Sequence, residues 1–80
     1  MREQLANLAH EQWSGWMRYL FAVSIEHVDG TVTIPADKVA RWKRQIATVY
    51  TALSEGEKES DRNEADRVLA LLMCTSGSPH

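Results

Sequence analysis

The stretch QLANLAHEQWSGWMRYLFAVS, residues 4–24, decides how this chain is read. Leu5, Leu8, Ala9, Trp13, Trp16, Met17, Leu20 and Val23 recur in it at steps of three and four. That is the period of an α-helix, and the stripe is wide enough to face a core. The spacing predicts a helix over 4–24. Gly15 interrupts it at a cost of about 1 kcal/mol relative to alanine. A glycine between two tryptophans either admits a close neighbour or is simply tolerated.

Downstream, the chain must turn near 27–30. Asp29-Gly30 is a turn signal, and β-branched residues alternate through 31–34. A lone strand this short forms no sheet, so 27–34 is read as a loop or a small hairpin. Pro35 opens a second helix, because proline in the first turn sacrifices no hydrogen bond. Asp37 favours the positive end of that helix. Val39, Trp42, Ile46, Val49 and Leu53 continue at helical spacing, and the β-branched run over 46–51 weakens the helix. The predicted range is 36–49, with a break near Val49 or Tyr50.

Ser54-Glu55-Gly56-Glu57 reads as a capping box, in which serine and glutamate each bond the other's backbone N–H. A third helix is predicted over 54–74, with Ala65, Val68, Leu69 and Leu72 as its inward stripe. The tail 75–80, with Gly77 and Pro79, is expected to fray. On the third helix, Lys58, Asp61 and Arg62 project over the same half as Leu69 and Leu72. Three readings stay open: a capped end in water, a satisfied network with Arg44, Tyr50 and His10, or a groove for a ligand.

Eighty residues allow one domain with a thin core. The expected fold is an all-α, compact three-helix domain, with a short extended loop or mini-hairpin between the first two helices. Its core spans about 4–74. Hydrophobic residues at 44% and charged residues at 25% suit a soluble globular domain. Nine bases against eleven acids give −2, so nucleic acid is not an expected partner. A helix-turn-helix reading fails on the long turn before Pro35 and the acidic last helix. Cys74 is alone, which excludes an internal disulfide and a four-cysteine zinc site. No run approaches ~18 apolar residues, and the start lacks a signal-peptide pattern. No membrane is expected, and the cytoplasm is the expected location.

The string His10-Glu11-x-Trp13, followed by Leu53-Ser54-x-x-Glu57-Lys58-x-x-Asp61-Arg62, resembles the RyR repeat domain of ryanodine receptors and its stand-alone bacterial and phage relatives. Tyr50 matches the aromatic residue that precedes Leu-Ser in that family. The resemblance covers roughly residues 5–72. The helix with Trp42-Lys43-Arg44-Gln45 departs from the receptor repeats and looks more like small phage proteins. The resemblance implies a compact helical fold and a nucleotide-like ligand. It does not imply a channel.

The candidate sites follow from residue types. His10-Glu11 is not a zinc-protease motif, because position 14 is Ser14 rather than histidine. His10, His27 and His80 are too scattered for a helix-spaced metal site, so no metal is expected. His10 is read as a hydrogen-bonded histidine at the core margin. No serine–histidine–acid set has a supporting turn, and Asp61 and Glu64 lack an evident cleft. No catalytic residue, no cofactor and no enzyme activity are expected. Trp13 and Trp42 are read as core rings. The alternative is an aromatic wall for a planar ligand, with Arg44, Lys58 or Arg62 meeting a phosphate. The candidate ligand set is His10, Trp13, Trp42, Arg44, Tyr50, Lys58 and Arg62.

The basic segment Lys38, Arg41, Lys43 and Arg44 opposes an acidic one over 55–67. Such segregation marks solvated faces or protein contacts. The expected function is a non-enzymatic small binding module for a nucleotide-like or other anionic ligand. The alternative is a protein-binding adaptor or inhibitor, phage-encoded, or a homodimer.

Overall fold

The computed structural model describes residues 1–76. Three helices form: α1 (Arg2–Val23), α2 (Ala36–Ile46) and α3 (Glu55–Ser76). A two-stranded hairpin, β1 (Ile25–Glu26) and β2 (Val32–Thr33), lies between α1 and α2. A single turn of 3-10 helix, Tyr50–Ala52, precedes α3. The expected all-α class, with three helices and a mini-hairpin after the first, is what forms. α3 continues to Ser76, past the expected end at 74, and the rest of the expected frayed tail lies outside the described residues.

Local chemistry sets each boundary. α1 ends where the Ser24 hydroxyl donates to the Leu20 carbonyl at 2.6 Å, a side-chain bond that competes with continued helix. The hairpin then closes on a three-residue loop. Gly30 N–H donates to His27 C=O at 3.0 Å, and His27 N–H to Thr31 C=O at 2.9 Å. Gly30 sits at φ 90°, a conformation that only glycine adopts cheaply. β1 and β2 pair antiparallel, with Ile25 opposite Thr33 and Glu26 opposite Val32.

Pro35 stands just ahead of α2, and its carbonyl accepts from the Lys38 and Val39 N–H groups at 3.0 and 3.1 Å. Asp37 in the first turn and Lys43 and Arg44 in the last both suit the helix dipole. α2 ends at Ile46, three residues short of the expected end. The Thr48 hydroxyl takes the Arg44 carbonyl at 2.6 Å, and the β-branched neighbours do not resume the helix. Ile46 and Val49, expected to continue the inward stripe, are 86% and 70% exposed.

The chain divides into two units, Met1–Trp13 with Ser54–His80, and Ser14–Leu53. In the first, α3 runs antiparallel to the start of α1. Gln12 Nε2 donates to the Glu64 carbonyl at 3.2 Å, and Arg67 pairs with Glu11 at 3.6 Å. Leu8 shares a cleft with Ala70 and Leu71, so positions fall along α3 as they rise along α1. The inward line on α1 is Leu5, Leu8 and Gln12. Leu8, 8% exposed, is the one buried hydrophobic residue among the described residues.

The apolar stripe of α1 does not all face inward, because the line through 5, 8 and 12 turns Ala9 and Trp13 outward. Trp13 is 54% exposed and is not a core ring. On α3 the inward sector holds Glu57, Glu64, Val68 and Leu71, while Ala65 and Leu69 are exposed. Stepping about 100° per residue, these two sets lie on different faces. In the second unit, Trp42 is half-buried and meets Tyr19 edge-on, with ring centroids 6.4 Å apart.

Candidate functional site

The first unit brings four of the seven candidate residues onto its two helices: His10, Trp13, Lys58 and Arg62. Trp42, Arg44 and Tyr50 belong to the other unit. His10 is exposed, and its ring stacks on Trp13 with centroids 6.1 Å apart and planes 24° apart. The expected margin-of-core histidine is thus a surface ring covering a surface indole.

Lys58 and Arg62 are engaged by glutamates of their own helix. Lys58 Nζ lies 3.7 Å from Glu55, and Arg62 Nη1 lies 3.2 Å from both Glu55 and Glu59. The hydrogen bond and charge of Arg62, helped by the charge of Lys58, hold the Glu55 carboxyl below its usual range. Arg62 is exposed and Lys58 half-buried, and both meet Glu55 on their own helix. The capping box forms as the sequence required. Ser54 N–H donates to Glu57 Oε1 at 3.2 Å, and Glu57 N–H donates to Ser54 Oγ at 3.3 Å. That pairing accounts for a glutamate only 8% exposed.

An open cleft of about 600 Å³ lies between the first half of α1 and the second half of α3. Glu3, Gln4, Asn7, Leu8 and Glu11 line one side, and Arg67, Ala70 and Leu71 the other. None of the seven candidate residues is among them. Arg67 is tied to Glu11 and, at 3.2 Å, to Glu64. The sequence carried one signal for this site: Glu3, Asn7 and Glu11 stand at four-residue steps and so share a ridge. Which side of α3 faces that ridge depends on tertiary packing.

Among the described residues, no group of three or more His, Cys, Asp or Glu is placed to hold a metal ion. No helix of the described residues is long and apolar enough to cross a membrane. Cys74 is a free, exposed thiol. No protein-family model, curated protein or solved structure matches the chain.

Proposed function

We propose that the chain is a small, non-enzymatic helical module of the cytoplasm that binds a partner protein. The observation that carries this reading is the exposure of large apolar side chains. Trp13, Trp16, Phe21 and Ile46 each keep more than half of their surface in contact with solvent. One exposed apolar side chain is ordinary, but tryptophan and phenylalanine are enriched where proteins meet. A fully buried aromatic side chain covers roughly 150–250 Å², and each of these rings still offers more than half of its surface to a partner.

A nucleotide-like ligand has less support. Lys58 and Arg62 are occupied by Glu55 and Glu59, and the His10–Trp13 stack lies on the surface. Kinship with the RyR repeat family belongs to the same proposal. It is supported by the Leu53-Ser54-x-x-Glu57-Lys58 string, which opens the last helix just after Tyr50.

The test immobilises the wild-type chain and its Trp13→Ser and Trp16→Ser variants in an extract of the producing cell. A partner retained in stoichiometric amount by wild type, and lost by variants with unchanged helical circular dichroism, is the expected result. A saturable rise in melting temperature with mono-, di- or cyclic nucleotides, with no protein retained, would overturn the reading.

A further inference from the structure

The cleft of the first unit has a chemistry of its own. Its floor is Leu8, Ala70 and Leu71, and its α1 rim carries Glu3 and Glu11. The ridge from Glu3 to Glu11 is about 12 Å long, a little over two helical turns. Arg67 on the opposite rim is drawn into pairs with Glu11 and Glu64. Residues 1–13 and 54–80 together hold eight acids and four bases, whereas 14–53 hold three acids and five bases. Along the cleft itself two acids, Glu3 and Glu11, stand against one base, Arg67.

We propose that this cleft docks a basic amphipathic helix of a partner protein. Its apolar side chains would rest on Leu8, Ala70 and Leu71, and its lysines or arginines would face Glu3 and compete with Arg67 for Glu11. Charge complementarity selects this occupant, since an acidic helix would meet like charge along the rim. Packing also favours it. Among the described residues these two antiparallel helices bury one leucine, and a third helix laid in their open groove would complete a layered core. The inference goes beyond the reading above and does not depend on it, because none of the exposed rings named there lines the cleft.

The test titrates the full chain into two fluorescent helical peptides of about 18 residues. One is built from leucine and lysine, and the other has glutamate in place of every lysine. The lysine peptide should bind saturably at one to one, and more weakly as salt rises. Glu3→Lys should lower its affinity about tenfold, and Ala70→Trp, which fills the floor, should lower it further. If Ala70→Trp loses its helical circular dichroism, Asn7→Trp on the exposed opposite wall replaces it. Equal binding of the glutamate peptide, no binding of the lysine peptide, or undiminished binding by the folded tryptophan and Glu3→Lys variants would each overturn the proposal.

Discussion

Asp29 shows how one side chain organises a turn. Its Oδ1 accepts from the Thr31 N–H at 3.0 Å and from the Thr31 hydroxyl at 2.6 Å. Those two bonds hold its carboxyl below the usual carboxylate range, with the hydroxyl as the larger cause. A carboxyl depressed in the folded state stabilises the fold above its unfolded pKa, near 3.9. That stabilisation is lost as the pH falls through the lowered folded value. Thr31→Val removes the hydroxyl donor and should raise the Asp29 pKa toward its ordinary value, as read from carboxyl carbon shifts in an acid titration by nuclear magnetic resonance. An unchanged Asp29 midpoint would contradict the assignment. The same titration should show the Glu55 midpoint rising in Arg62→Gln, since Arg62 is the main cause of its depression.

At the scale of the element, two short sequence devices carry most of the local order. Gly30 takes a left-handed φ of 90° with open space around it, so a side chain there meets no atom and the cost is backbone strain alone. Gly30→Ala should cost about 1–2 kcal/mol, seen as loss of the hairpin's cross-strand amide protection. The capping box is the second device. Ser54→Ala leaves the Glu57 N–H without its acceptor and should lower stability by about 1 kcal/mol in urea unfolding. α2 shows a limit on such reasoning. Its apolar spacing continued through Val49 and Leu53, yet the backbone leaves the helix after Ile46, where the Thr48 hydroxyl donates to the Arg44 carbonyl. A periodic pattern survives in sequence after the backbone has left the helix.

At the scale of the whole molecule, burial is scarce among the described residues, and that separates residues that maintain the fold from those free to do something else. Leu8→Ala should cost roughly 2–3 kcal/mol, because it removes the best-covered apolar side chain of the first unit. Trp13→Ser and Trp16→Ser, on side chains more than half exposed, should stay within about 0.5 kcal/mol of wild type. Thermal melts of the three variants decide this, and a Trp13→Ser loss as large as that of Leu8→Ala would place the indole in the core after all. The charge division has a similar meaning. The acids and bases over 55–67 largely answer one another along α3, through Glu55, Glu59 and Glu64 with Lys58, Arg62 and Arg67. Leu69, on the same helix, is 53% exposed.

The sequence by itself determined the three helices, the hairpin turn at Asp29-Gly30 and the Ser54–Glu57 cap. Each is a local event, decided by spacing, a positive φ or a reciprocal hydrogen bond within a few residues. Tertiary structure decided which stripe of each helix turns inward. On α1 the inward line passes through Gln12, a polar residue that no hydrophobic count selects, because its amide finds the Glu64 carbonyl on another element. On α3 it passes through Glu64, Val68 and Leu71 in place of Ala65 and Leu69. The cleft was hidden for the same reason: its two walls are more than fifty residues apart in the chain, and only packing brings Glu3, Leu8 and Glu11 to Arg67, Ala70 and Leu71. Periodicity shows that a face exists, whereas the partner across it selects the face that is buried.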